Sequence, residues 1–319
     1  MEIDNLWKGI LEAKSIGIAG HIRPDGDCVG SCMALFQYLT KEYPEKNIQV
    51  YLENVPDSFL FLEKTNQVQN DCNEEQVFDL FFSLDCSDKE RLGEAEKYFN
   101  TAGKTVCIDH HISNIKYANM NFVQPDASST AEVLFGLLES EKIDLAIATS
   151  LYLGIVHDSG VFRYSNTSRK TMEIAGCLIE KGVNTTKIID ETFYQKTYVQ
   201  NQILGRVLLE SILVLDKKVI ASCVTQKMMN FYGATNHDLD GIVEQMRNTK
   251  GVEVAILLHE IEPLVYKVSM RSNELVDVSE IAVAFGGGGH IKAAGCTMTG
   301  TYYDIINNLT KYVDRQLHG

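Results

Sequence analysis

Residues 15–27 read SIGIAGHIRPDGD: a short apolar run, then a histidine, a Pro-Asp-Gly turn and a second aspartate. An apolar run of that length, closed by glycine, reads as a buried strand over Ser15–His21. The polar cluster after it therefore sits at a strand's carboxyl end. Working outward, Val29–Tyr43 is predicted helical, with Val29, Met33, Phe36 and Leu39 on one face. NIQVYL (47–52), FDLFFSLD (78–85) and KTVCID (104–109) are predicted strands, and Ala127–Ser140, Ile143–Asp158, Arg169–Lys181 and Thr185–Tyr194 predicted helices. Near-continuous apolar strands separated by helices predict an α/β fold: a parallel sheet with helices on both faces. From about Ile212 the pattern becomes mixed, with strands expected at Ile212–Leu215, Lys218–Val224, Val252–His259 and Val265–Arg271. The expected organisation is a catalytic domain over 1–185, a helical linker over 186–211 and a smaller mixed α/β domain over 212–319.

The chain has 319 residues, enough for two cores. Its 43 acidic and 29 basic side chains give a net charge of −14, which argues against coating long DNA or RNA duplexes. A local cationic or metal-bearing pocket for a short anionic ligand is not excluded. The first residues lack the basic start and apolar core of a signal peptide. The longest apolar stretch, Leu145–Val156, is interrupted by Thr149, Ser150 and Gly154 and falls short of the ~20 residues of a membrane span. Eight cysteines form no CxxC pair, so reduced buried thiols and a cytoplasmic location are expected.

Four polar clusters carry the chemistry. They are His21, Asp25 and Asp27 at i, i+4 and i+6; Asp85 at the end of FFSLD; Asp109-His110-His111 closing KTVCID; and Asp158 at the end of a helix. In open parallel sheets ligands gather beyond the carboxyl ends of the strands, and the first three clusters lie on that edge. Singly each has a plainer reading, since a strand-end Asp commonly caps a helix and PDGD commonly forms a turn. Their ordered recurrence points instead to one site. Clustered carboxylates repel, and bound cations are the natural compensation. Carboxylate and imidazole donors suit manganese, magnesium less well, and on this reading exclude a thiolate zinc site. A carboxylate bridging two such ions is the usual apparatus for phosphoester hydrolysis. Arg23 reads equally as a phosphate clamp or a solvated side chain. The four glycines at 286–289 would let a backbone with free N–H groups approach a phosphate, or form a flexible loop.

HIRPDGDCVGS (21–31), LDCSD (84–88), IDHHISN (108–114) and HDSGVFRYSNTS (157–168) resemble the four successive motifs of the DHH phosphoesterases. FGGGGHIKAAG (285–295) resembles the glycine-rich signature of the DHH-associated C-terminal domain. The resemblance spans nearly the whole chain and is nearest to the bacterial nanoRNase and pAp-phosphatase group. It implies hydrolysis of short single-stranded RNA oligonucleotides, of 3′-phosphoadenosine 5′-phosphate (pAp), or of both, by an enzyme with two manganese(II) ions, magnesium being the alternative. It implies that His21 and Asp25 hold one ion, that Asp27, His110 and Asp158 hold the other, and that Asp85 bridges them. His111 would face the scissile phosphate, with Asp109 orienting a neighbouring imidazole. Arg271, Gly287, Gly288, Gly289 and His290 would bind substrate. A homodimer is compatible with the resemblance. The alternatives are a cyclic- or linear-dinucleotide phosphodiesterase and a non-catalytic nucleotide-binding protein. HDSG carries Ser159 where the family commonly has threonine, which keeps the hydroxyl.

Overall fold

A run of five mutually parallel strands forms the first sheet of this computed structural model, which describes residues 2–318. They are β1 (Ser15–Ala19), β2 (Asn47–Tyr51), β3 (Leu80–Leu84), β4 (Lys104–Asp109) and β5 (Met120–Val123), in the order β2-β1-β3-β4-β5. The helices of this part are α1 (Glu2–Glu12), α2 (Gly26–Glu42), α3 (Glu96–Thr101), α4 (Thr130–Phe135), α5 (Leu145–Asp158), α6 (Arg169–Glu180) and α7 (Thr185–Ile189). One face of the sheet sends Ile16, Ile18, Leu80, Phe82, Leu84, Val106 and Ile108 into a core with α2 and α5. The other sends Ala19, Tyr51 and Phe81 into a smaller aromatic cluster with Tyr98 and Phe99 of α3. Strand order reverses beside β1: the chain moves from β1 to β2 on one side, then crosses to β3 on the other. A crevice at the carboxyl ends follows from that reversal.

Two strand-end carboxylates also start helices, which sets where those helices lie. Asp25 caps α2, its Oδ1 accepting from the N–H groups of Asp27 and Cys28, both at 3.1 Å. Asp27 accepts from the first turn of α4, from Thr130 N at 2.6 Å and Ala131 N at 3.0 Å. Glycines then let α2 meet α5. A Cβ on Gly30 would lie 2.5 Å from the Ser150 carbonyl oxygen, and one on Gly154 would lie 2.5 Å from Asp27 Oδ1.

The chain divides into two compact units, the first ending at Gln195 and the second beginning at Lys196. A π-helical turn over Asp190–Tyr194 closes the first. In the second, α8 (Tyr198–Leu209), β6 (Ile212–Val214), β7 (Val219–Val224), α9 (Gln226–Tyr232), α10 (Ile242–Arg247), β8 (Val254–Glu262), β9 (Val265–Ser272), α11 (Val278–Ala284), β10 (Gly288–His290), β11 (Ala293–Thr299) and α12 (Tyr302–His318) follow in order. The sheet runs β10-β11-β9-β8-β7-β6, with only β7–β8 parallel. Helices α11 and α12 cover one face. Helices α8, α9 and α10 cover the β7–β8 part of the other.

Several elements differ from the sequence reading. The helix expected over 127–140 is only Thr130–Phe135, because Ser129 caps its start and the chain leaves helical form after Gly136. Strand β5 was not expected: four residues at a sheet edge, paired to β4 alone, carry too little pattern. Strand β11 was missed because its inward residues Ala294, Cys296 and Met298 alternate with small and polar ones. Among the described residues, no helix is long and apolar enough to cross a membrane, and all eight cysteines are free.

The α2–α5 contact yields a stability test. Gly154→Ala should cost about 1–3 kcal/mol by overpacking, read as a lowered urea midpoint. Gly176→Ala, in the middle of α6 with open space around the new methyl, should instead stabilise by up to about 1 kcal/mol.

Candidate functional site

His21 leaves the end of β1 and Asp85 leaves the end of β3, the two strands that flank the reversal of strand order. His21 Nε2 lies 3.5 Å from Asp85 Oδ2 and 3.7 Å from Asp25 Oδ1. Its Nδ1 is 2.9 Å from the Ile22 carbonyl oxygen, so the ring is held by the backbone and turns Nε2 to the carboxylates. His110, after β4, repeats the pattern. Nδ1 meets the Ala127 carbonyl at 3.3 Å, and Nε2 lies 2.9 Å from Asp158 Oδ2 and 3.7 Å from Asp85 Oδ1. Asp158 arrives from the last residue of α5. Asp85, 2% exposed, therefore has one oxygen toward each imidazole. Its backbone sits at φ +57°, a left-handed conformation that aspartate tolerates and that turns the side chain back over the sheet edge. Thr130 Oγ1 donates to Asp85 Oδ1 at 3.0 Å.

All six residues expected as metal ligands are thus gathered in one place: His21, Asp25, Asp27, Asp85, His110 and Asp158. The electrostatics match the geometry. Burial, together with the charges of Asp85 and Asp158, pushes the Asp27 carboxyl well above the usual carboxylate range. Burial likewise raises Asp158 against the opposing pull of His110. Burial would lower the His110 imidazole, but its bond to Asp158 and the charges of Asp27 and Asp85 outweigh that and raise it to about 10. His21 is raised in the same way, by Asp25 and Asp85 against burial. For Asp25, burial is outweighed by His21 and the α2 amides, and its pKa falls to about 2. A field that favours imidazolium this strongly favours any cation. Ligand atoms of Asp27, His110 and Asp158 lie within 4.8 Å of one another, as do those of Asp85, His110 and His111. Oxygen and nitrogen donors at that spacing fit divalent cations.

His111 is set differently. Its Nδ1 lies 2.7 Å from Asp109 Oδ1, and Asp109 Oδ2 accepts from Asn114 Nδ2 at 2.6 Å. Asp109 therefore orients His111 rather than the adjacent His110. The bond to Asp109 raises the His111 pKa against burial, and Nε2 has no protein partner among the described residues. His157, next to Asp158, takes no part. Its Nε2 meets Thr192 Oγ1 at 2.9 Å between Phe59 and Phe193, and burial lowers it to about 4.

Sequence reasoning missed three participants. Asn114 lay inside IDHHISN, and Thr130 was hidden in a helix start with no catalytic signature. The third is Cys28, whose buried sulfur lies within 4.8 Å of ligand atoms of His21 and Asp85. The sequence placed Cys28 directly after Asp27, but only the α2 turn brings its thiol back toward His21. Arg23 is exposed at φ +54°, its backbone N–H donating to Glu53.

In the second unit, register places Arg271, Ala293 and His290 in one row across β9, β11 and β10. Directly paired residues share a face, so Arg271 and His290 stand on the same side, with Ala293 between them. That side also carries Lys267 and Ser269, paired with Thr297 and Gly295. Arg271 Nε also lies 3.7 Å from Glu244 Oε2 of α10, at the edge of the helix-covered part of this face. A concavity of about 600 Å³ there is lined by Lys267, Ser269, Arg271, Gly286–Gly288 and the small residues of β11. The glycine run is not a free loop. The N–H groups of Gly286 and Gly287 donate to Val283 and Ala282 at the end of α11, and Gly288 and Gly289 pair with β11. A Cβ on Gly287 would lie 2.1 Å from the Gly295 oxygen, so this position needs glycine for packing.

The profile of the DHH family, N-terminal domain, matches residues 15–155, and that of the DHHA1 domain matches 216–319. The bifunctional oligoribonuclease and PAP phosphatase NrnA of Mycoplasma pneumoniae is 31% identical over 298 residues, covering 89% of this chain and 87% of that protein. Its namesake from Bacillus subtilis is 27% identical over 284 residues, with 87% of each chain covered. The crystal structure of an exopolyphosphatase-related protein from Bacteroides fragilis shares the fold, with a TM-score of 0.86 at 23% identity, over 98% of this chain and 96% of that one. The chain belongs to the DHH family and is a metal-dependent hydrolase.

Proposed function

We propose that this protein hydrolyses phosphoester bonds in short RNA oligonucleotides and in pAp, using two manganese ions. The observation that carries the reading is Asp85, buried at the reversal of strand order with one carboxylate oxygen toward His21 and the other toward His110. His21 and Asp25 would hold one ion, Asp27, His110 and Asp158 the other, and Asp85 would serve both. When bound, the ions supply Lewis-acid charge that polarises a phosphoryl group and acidifies water. The donor set of hard oxygens and imidazoles favours manganese over magnesium, which prefers oxygen and retains its water. The substrate class is supported by the two relatives, both named for oligoribonuclease and PAP phosphatase activity.

The protein's own groups do the rest. Asn114 fixes Asp109, and Asp109 fixes the His111 ring and raises its pKa. In its protonated form His111 donates from Nε2 to a phosphate oxygen as negative charge builds there. Arg271 and His290, which share one row on the second sheet, are the side chains there that bind a substrate phosphate and sugar, with Gly287, Gly288 and Gly289 beside them. The net charge of −14 repels the remaining phosphates of a long strand, only partly screened beyond ~8 Å at physiological salt.

Asp85→Asn should preserve the fold and its bond from Thr130. It should lower manganese content at both positions and cut kcat/KM at least about a thousandfold. Metal analysis and turnover of pAp check this, and a variant that keeps full turnover removes Asp85 from its bridging place. His290→Ala should retain manganese and lose about ten- to a hundredfold in kcat/KM, the worth of a hydrogen bond to a charged group. Falling metal content would make His290 a ligand instead. A panel at fixed manganese should include pAp, cyclic and linear dinucleotides and RNA from two to about 24 nucleotides, long enough for repulsion to extend past the ~8 Å screening length. Efficiency should peak at pAp or at about two to five nucleotides and fall with length. Preference for cyclic dinucleotides, or equal efficiency on the longest strand, would overturn the substrate assignment.

A further inference from the structure

The two sides of the metal centre are not chemically alike. Asp27, His110 and Asp158 offer only oxygen and nitrogen, whereas His21, Cys28 and Asp85 offer nitrogen, sulfur and oxygen, with ligand atoms again within 4.8 Å of one another. Atoms bound to one ion at about 2.0–2.3 Å stand at most about 4.0–4.6 Å apart, so the trio is close to the spacing a single ion imposes. All three residues are buried. Cys28 is also fixed in place: its N–H is tied to Asp25, its sulfur lies 3.9 Å from the His21 carbonyl oxygen, and Gly20 packs against that sulfur so closely that a Cβ there would come to 2.2 Å.

We propose that His21, Cys28 and Asp85 form a subsite that captures a thiophilic divalent ion, zinc or cadmium, in competition with the hard ion of the centre. The proposal rests on the metal-centre reading above and adds a selectivity to it. Thiolate ligation favours soft ions, and zinc outranks manganese at most nitrogen, oxygen and sulfur sites. Asp85 also belongs to the group with His110 and His111, so an ion held through Cys28 engages the carboxylate that both sides share. The protein is therefore expected to be poisoned by thiophilic ions through a group that lies within the centre.

The test uses the full chain, stripped by a chelator and titrated with cadmium chloride, reading the ultraviolet charge-transfer band of a thiolate–cadmium bond. The wild type should show the band and saturate at one equivalent. Cys28→Ala and Cys28→Ser should both lose it, and the pair covers the case in which one of them fails to fold. Cys32→Ser, one helical turn further along α2, should keep it. Saturating manganese should raise the cadmium midpoint at least about tenfold by mass action. A wild type without the band, a band that survives in a folded Cys28 variant, or a midpoint indifferent to manganese would each overturn the proposal. Manganese binding itself is followed separately by its paramagnetic resonance. If the wild type binds no manganese, the metal-centre reading fails, and that result is distinct from the loss of a sulfur signal.

Discussion

Carboxylates buried side by side repel, and the first unit is built so that this repulsion can be held. Asp27 and Asp85 have almost no contact with solvent, and Asp158 joins them from α5. Each is secured by a different partner. Asp27 takes two amides from the start of α4, Asp85 takes the Thr130 hydroxyl, and Asp158 takes His110. A hydrogen bond to a carboxylate stabilises its charged form. What these bonds leave uncompensated is the field that draws a cation. Removing Asp27 therefore changes more than a ligand count, because the start of α4 loses the carboxylate that accepts its first amides.

That constraint reaches into the backbone. Gly30 and Gly154 bring α2 and α5 together at the level of Asp27, and larger side chains would push apart the acids gathered there. Asp25 shows the same economy, capping α2 with the oxygen that lies 3.7 Å from His21. The plain reading of a strand-end aspartate as a helix cap is met, and the same side chain stands beside His21, where the reading as a ligand needs it. For this reason the pattern was recognisable from sequence: the residues that build the turn are the residues that face the site.

The strands that carry the site were legible because parallel strands buried on both faces leave uninterrupted apolar runs. The polar residues that end those runs mark the carboxyl edge, which is how His21, Asp85 and Asp109 could be placed together across nearly ninety positions. Legibility failed where position depends on a turn rather than on a run. Cys28 is one residue from Asp27 in sequence, and nothing in DGDCVG says that its sulfur returns toward His21. Thr130 reaches Asp85 only because α4 begins at Ser129 instead of Ala127. Asn114 acts through Asp109, one step removed from the imidazole it steadies.

The glycine run shows how a motif can be read correctly in place and wrongly in mechanism. Its residues suggested backbone amides free to cradle a phosphate. In the structure the amides of Gly286 and Gly287 close α11, and Gly288 and Gly289 pair with β11. Glycine is needed there because the strand crosses β11 too closely for any Cβ at Gly287. Anion recognition on that sheet must then come from side chains. Arg271 and His290 flank Ala293, and Lys267 and Ser269 continue the same face. The small residues of β11 keep the floor low between them. If this surface binds substrate as proposed, it would distinguish ligands by where their phosphates fall along β9, at about 6.6–6.8 Å for each pair of residues, a spacing that a backbone nest would not impose.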